Sequence, residues 1–348
     1  MVLPVPSYGP AHKTPDSPFA AVLACGAFAA ASSAAPSKPA PQMPSDWSSP
    51  VKPFRIAKNI YYVGTRGLAA YLITSGRQAI LLDTSMGSNA VLLEANIRSL
   101  GFSLRDVKAI IISHAHWDHV GALAQLKHDT GASLAVMEQD VAAIESGHPE
   151  GDNIYPATSF APVQVDRHLH DGDEVAIGEA KLRAVLTPGH TKGCTTWLMR
   201  THETGRTVNV IFPCSMSVAG NTLVGNSTYP AIVRDYQASF QRLRGIAADI
   251  VLTSHPEVAG VIERREAQLG GKRHAFIDPN LLADVVAKAQ LSFDTELAKE
   301  LALSNLGQSD QKSVAIGVMP TLEYIGLPFR HGTLDRLVPH RTGRSPGS

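Results

Sequence analysis

His114, His116, Asp118 and His119 stand in an H-x-H-x-D-H cluster within the stretch HAHWDH. On an extended loop, residues two apart point the same way, so His114 and His116 can face one metal ion. Asp118 and His119 fall where the chain tightens into a helix, and can face a second. Imidazole and carboxylate donors together suit zinc, and a catalytic zinc keeps one position open for water. Such an ion typically takes three protein ligands, so this cluster alone cannot complete two sites. His190 in LTPGHTKGCTTW and His255 in IVLTSHPE each close an apolar strand beside turn residues, and these two qualify as the missing donors. His128, His148, His168, His170, His202 and His274 sit in polar or helical settings and read as solvated surface histidines, while His12, His331 and His340 belong to the tails.

The elements that must position these side chains are legible in the pattern. NIYYVGT (59–65), AAYLITS (69–75) and AILLD (79–83) are short β-rich runs separated by Gly or polar turns, a meander. Leu93, Ile97 and Leu100 recur at helical spacing, with Ser88 or Asn89 as the cap and Gly101 past the end. VKAIIIS (107–113) is a buried strand running into the histidine cluster, and Val120, Leu123 and Leu126 resume helical spacing after it. The cluster is therefore expected on a strand-to-helix loop, where catalytic residues are usually held. GDEVAIG, KLRAVLT, TTWLMR, VNVIFP and IVLTSH (250–255) are further strands, and Ile232, Tyr236, Phe240 and Leu243 line a helix. Leu282, Val286, Phe293, Leu297 and Leu301 mark a late helix. Strands and helices mixed in this way predict an α/β fold of sheet layers covered by helices.

Composition narrows the function. Among 348 residues, 31 Lys plus Arg balance 31 Asp plus Glu, so no field draws the protein onto nucleic acid or anionic lipid. Hydrophobic residues at 44% and charged residues at 18% describe a globular chain, and no apolar run reaches the roughly 18 residues of a membrane span. With three cysteines, a disulfide-stapled scaffold is not expected. Residues 1–43 are Pro- and Ala-rich. Their run FAAVLACGAFAAA has the length of a secretory signal's apolar region, with small residues near 31–34 for cleavage. A disordered leader is the competing reading, because the preceding stretch is long and poor in basic residues. Cys25 loosely resembles a lipoprotein acylation site, against which stands an ordinary apolar cysteine of the signal region. Residues 44–303 form the expected catalytic domain, and 304–348 an extension without an assigned role.

HAHWDH, PGHTKGCTTW and a strand-ending histidine resemble the metallo-β-lactamase superfamily, which implies a four-layer αβ/βα sandwich with a two-metal site at one edge of its sheets. Many members, glyoxalase II, ribonuclease Z and most lactonases among them, carry an aspartate bridging both metals. The matching stretch here, VNVIFPCSMSVAGN, offers Cys214 and Ser215 but no acid. The chain is similar instead to subclass B3 of the class B β-lactamases, through SDWSSPVKPFRI, YYVGTRGLAAYLI, RHLHDGDEVAIG, TPGHTKGCTTW, CSMSVAGNTLVGNSTYP and IVRDYQASFQRLR, across residues 47–303.

That resemblance implies two zinc ions per chain, the first held by His114, His116 and His190, the second by Asp118, His119 and His255. It implies hydrolysis of the β-lactam ring of antibiotics by a zinc-activated hydroxide that Asp118 orients, hence antibiotic resistance, with a small-molecule lactam as the only partner. A monomer, periplasmic or secreted, without nucleic acid or a membrane span, is expected. Ser215 and Ser217 fall in the loop that hydrogen-bonds the substrate carboxylate, if they are not ordinary loop serines. Cys214 reads as a packed strand residue rather than the cysteine ligand of other subclasses, and Cys194 as core. Asp83, at a strand end, reads as a carboxylate buttressing the histidine loop. Trp117 either lines the cleft or packs. Two departures stand out: the disulfide that often ties the strand before the last histidine to the late helix has Ala247, Ala248 and Asp249 in its place, and the tail past Leu303 has no counterpart. Two alternatives remain, namely a hydrolase of the same fold acting on a lactone or thioester, and an inactive zinc-binding relative.

Overall fold

The computed structural model describes residues 43–149, 158–203 and 205–315. The leader, the middle of the 145–162 loop and the chain beyond 315 lie outside the described residues.

The first sheet begins as the expected meander: β1 (Phe54–Ala57), β2 (Ile60–Tyr62), β3 (Tyr71–Ser75) and β4 (Gln78–Leu82) pair antiparallel in sequence order. Helix α1 (Ala90–Ser99) then crosses over to β5 (Val107–Ile111), which lies parallel to β4. After α2 (Trp117–Val120) and α3 (Leu123–Thr130) come β6 (Ser133–Met137), α4 (Glu138–Ser146) and β7 (Arg167–Leu169), both strands parallel to their neighbours. The second sheet comprises β8 (Glu174–Ile177), β9 (Ala180–Leu186), β10 (Thr195–Glu203) and β11 (Arg206–Phe212), all antiparallel, then α5 (Ile232–Arg244) and the parallel edge strand β12 (Ile250–Val251). Helices α6 (Val261–Leu269) and α7 (Leu281–Ala315) complete the described chain, and α7 runs on without a break through residue 303.

Side-chain alternation explains the layering. Along β3 to β5, Leu72, Leu81 and Ile110 face α1, α3 and α4, where they meet Leu93, Ile97, Leu123, Leu126 and Ile144. Their neighbours Tyr71, Ile73, Ile80, Leu82 and Ile111 face the other way, onto a core that includes Leu182, Ala184, Trp197, Val208 and Val210 of the second sheet. That larger core also takes Tyr236, Phe240 and Leu243 of α5 and Phe293 of α7. A sheet apolar on both faces must be covered on both, and the outcome is helices, sheet, sheet, helices, the expected four-layer sandwich.

At one rim the two sheets are laced by hydrogen bonds. Thr195 donates its amide to the Ser113 carbonyl at 2.8 Å, and Trp197 its indole Nε1 to the Ile112 carbonyl at 2.9 Å. Ala69 donates to Ser254, and the Tyr71 hydroxyl to the Thr253 carbonyl at 2.7 Å. These bonds bring the exits of β5 and β12 to the same edge as the entry to β10. Strand β12 is shorter than the run 250–255 suggests. His255 therefore stands on a loop, as do His114 and His116 after β5, because the rim satisfies those backbone groups across the sheets rather than along a ladder.

Candidate metal centre

The loops at this rim and the short helix α2 carry every expected ligand. His114 and His116 lie between β5 and α2, Asp118 and His119 on α2, His190 between β9 and β10, and His255 after β12. They gather into the two trios expected: one donor atom from each of His114, His116 and His190 lies within 4.8 Å of the others, and the same holds for Asp118, His119 and His255.

The protons at the first trio can be followed atom by atom. Nδ1 of His190 lies 2.8 Å from the carbonyl oxygen of Ser217, which can only accept, so Nδ1 carries the hydrogen and Nε2 a lone pair. Ser113 Oγ spends its hydrogen on Asp83 Oδ2 at 2.8 Å, so it accepts from His114 Nδ1 at 2.9 Å, and His114 Nε2 is likewise bare. These two bare nitrogens face each other at 3.1 Å. Two acceptors that close repel unless a cation lies between them. Burial drives His114 and His190 well below the usual imidazole range and takes His116 down to about 4. All three are in the neutral form a metal requires.

The second trio attracts positive charge. Asp118 Oδ2 lies 3.2 Å from His119 Nε2 and 3.3 Å from His255 Nε2, and the two imidazole nitrogens are 3.2 Å apart. Burial pushes Asp118 up, but the charge and hydrogen bond of His119, with those of His255, outweigh it and hold the carboxyl well below the usual range. Burial alone would depress His119; the adjacent Asp118, with Asp83 and Glu257, carries it above the usual value instead. Among the described residues Nδ1 of His119 is buried without a hydrogen-bond partner, and it faces Asp83 Oδ2 at 3.9 Å. Both donor sets, imidazole with at most one carboxylate, fit zinc.

Three buttresses fix these loops. Asp83, buried and raised by that burial, accepts the Ser113 amide at 2.7 Å as well as its hydroxyl. Beside it Thr84 donates both its amide and its hydroxyl to the His119 carbonyl, so one turn, in which Asp83 adopts a φ of 62°, holds both ends of the histidine loop. Asp140, at the third position of α4, is the second. It accepts the Ala115 amide at 3.0 Å, the Thr191 hydroxyl at 2.9 Å and the Gly193 amide at 2.7 Å, tying the histidine loop to the His190 loop. A Cβ on Gly193 would stand 2.6 Å from Asp140 Cγ, which is why that position is glycine. The third is Tyr236, whose hydroxyl donates to the Ser217 carbonyl at 2.6 Å. Its ring lies so close to Gly189, at φ 140°, that a Cβ there would meet it at 2.7 Å. Sequence alone singles out neither Asp140 nor the Ser217 carbonyl.

Ser215 and Ser217 line the His190 side of the site, their hydroxyls 3.1 Å apart. Trp117 is half-buried and packs on the α1 and α3 side, while its ring also meets Trp47 at 5.8 Å. Trp47 in turn lies 5.4 Å from the His255 ring, a neighbour of the site that spacing does not announce. The six histidines read as surface residues are all exposed.

Cys194 and Cys214 are buried, as expected of packed residues, but they are bonded to each other as a disulfide. The chain thus keeps a crosslink, placed between the entry to β10 and the exit of β11 rather than at the late helix, and Cys214 is unavailable as a ligand. The cysteines are 20 positions apart with Cα atoms at 5.7 Å, a pairing set by the β10–β11 hairpin and not by spacing. Replacing both with serine removes a loop closure worth about 3 kcal/mol. Urea unfolding of the double variant should show that loss, and an unchanged midpoint would refute it.

Residues 63–255 match the family described as the metallo-β-lactamase superfamily. Among solved structures, a subclass B3 metallo-β-lactamase of Bradyrhizobium japonicum is 40% identical, with a TM-score of 0.72, over 74% of this chain and 98% of that one. A β-lactamase-like protein 2 homolog of Caenorhabditis elegans is 25% identical over 57% of this chain and 59% of its own length. A hydroxyacylglutathione hydrolase of a Bradyrhizobium species is 32% identical over 27% of this chain and 29% of that protein. The chain thus spans less than two thirds of either curated relative.

Proposed function

We propose that this chain, which belongs to the metallo-β-lactamase superfamily, is a zinc-dependent hydrolase that opens the β-lactam ring of antibiotics. One observation carries the choice of substrate. No carboxylate enters the site from the stretch after β11, and the residue standing there, Cys214, is held in a disulfide. Many other members of the superfamily, glyoxalase II and most lactonases among them, carry a bridging aspartate in that stretch. The likeness to the subclass B3 enzyme, over nearly its whole length, supports the same reading.

His114, His116 and His190 would hold one zinc ion and Asp118, His119 and His255 a second. When bound, such ions supply a hydroxide at neutral pH and polarise a carbonyl. The remaining work falls to the chain. Asp118, ionised at neutral pH, orients the attacking water through its carboxylate. The Ser217 carbonyl fixes His190 in the one tautomer that leaves Nε2 free. Hydroxyls of Ser215 and Ser217, on the His190 side of the site, would donate to the carboxylate that β-lactam antibiotics carry. No side-chain nucleophile is needed.

Location is part of the proposal. The leader suits export, and the Cys194–Cys214 disulfide suits an oxidising compartment such as the periplasm. Among the described residues no helix is long and apolar enough to cross a membrane.

The test is hydrolysis of a penicillin, a cephalosporin and a carbapenem by the purified protein, with and without chelator, alongside zinc analysis. Chelator-sensitive turnover with about two zinc ions per chain is expected. Two bound ions with no lactam opened would remove the substrate assignment and turn attention to thioesters and lactones.

A further inference from the structure

Helix α7 reaches the metal centre by a route that ligand chemistry does not require. Glu300, half-buried on that helix, accepts the amides of Leu223 and Val224, each at 2.8 Å from the same oxygen, Oε2. Both amides belong to the 217–229 loop that follows Ser215. That loop grips the first trio at two points: the Ser217 carbonyl takes the His190 Nδ1 hydrogen, and Asn221 Nδ2 donates to the His190 carbonyl at 3.2 Å. The same helix also backs Tyr236. Phe293 lies 4.9 Å from the Tyr236 ring, whose hydroxyl holds the Ser217 carbonyl from behind. Two routes thus run from α7 to one ligand, one through the core and one through a single carboxylate.

The core route is apolar and buried, and the carboxylate route is not. Two adjacent amides converging on one oxygen fix the direction of the loop as well as its position, because neither amide can turn without losing its acceptor. We propose that Glu300 is a positioning residue: from α7 it holds the 217–229 loop, and through it His190 and the Ser215–Ser217 wall, in the geometry that binds substrate. The consequence for substrate rests on the hydrolase reading above; the anchoring of the loop does not.

Three variants separate the outcomes. Glu300→Ala removes the acceptor, Glu300→Gln keeps an oxygen in place, and Lys299→Ala, on the exposed side of the same turn, is the control. In the alanine variant, exchange of the Leu223 and Val224 amides should quicken by about tenfold or more. KM for a lactam should rise about tenfold with kcat within about twofold and zinc content unchanged. The glutamine variant should stay near wild type in both. Cobalt(II) bound in place of zinc reports on His190 without any substrate, and its visible spectrum should differ between the alanine variant and wild type. Unchanged exchange, or a cobalt spectrum superimposable on that of wild type, overturns the proposal. So does a glutamine variant as impaired as alanine, or a lower thermal midpoint with KM intact. Failure of the wild type to open any lactam removes the functional reading instead, and exchange and the cobalt spectrum still decide the role of Glu300.

Discussion

His119→Ala should leave the protein folded, with about one zinc ion per chain instead of two, and lower kcat/KM for lactams by about 10³ or more. The expectation of a local effect comes from how the backbone is held. The His119 carbonyl takes two hydrogen bonds from Thr84, and its amide donates to the His116 carbonyl at 2.9 Å, so none of the anchoring passes through the imidazole. Within the site the ring does two things at once. Its Nε2 is a donor of the second trio, and the positive charge it attracts is the largest influence holding Asp118 ionised against burial. Alanine removes both, and leaves His255, at 3.3 Å, as the imidazole paired with Asp118. Zinc content and kinetics measured together decide the matter. Retention of two ions at full activity would mean that the second trio is not a metal site. His168→Ala is the matching control, because that exposed ring pairs with Glu138 at 2.8 Å, away from both trios, and its loss should change neither quantity.

Much of this architecture could be read from residue order. Apolar-rich runs of five to seven residues mark most of the strands, and the H-x-H-x-D-H cluster between a buried strand and resumed helical spacing marks the ligands at a strand-to-helix turn. The parts that could not be read are those made by contact between distant segments. Asp140 is an acid in the first turn of an unremarked helix; its importance comes from Ala115 and from Thr191 and Gly193, 25 to 53 positions away along the chain. The partner that sets the His190 tautomer is a backbone carbonyl, and a carbonyl leaves no mark on residue type. Cys194 and Cys214 look like two core residues until the β10–β11 register brings them together. Asn89 stands where a helix cap is expected, yet its amide goes to the Trp47 carbonyl and Ser85 Oγ, so packing against the site's rim displaced the local preference.

Asp118→Asn separates charge from ligation. The amide is nearly isosteric and keeps one oxygen donor, so the chain should still bind about two zinc ions, the second more weakly. It cannot hold a negative charge. Loss of the carboxylate that orients the attacking water should therefore lower kcat by about 10² to 10⁴, with KM changed far less. The same substitution has a signature free of catalysis. In the folded protein the Asp118 carboxyl is held below its usual range, so its ionised form stabilises the fold at pH values above the unfolded pKa. That contribution is lost as pH falls through the folded-state pKa. In chelator-treated protein, wild type should thus be more stable than Asp118→Asn at neutral pH, and the gap should close on acidification. A gap independent of pH would mean that the asparagine variant is weakened by packing and not by charge. An undiminished kcat would show that the carboxylate only holds metal. A collapse of kcat with zinc retained would place Asp118 at the reacting atoms as a negative charge, a role that His114, buried with a ring that carries no charge at neutral pH, cannot share.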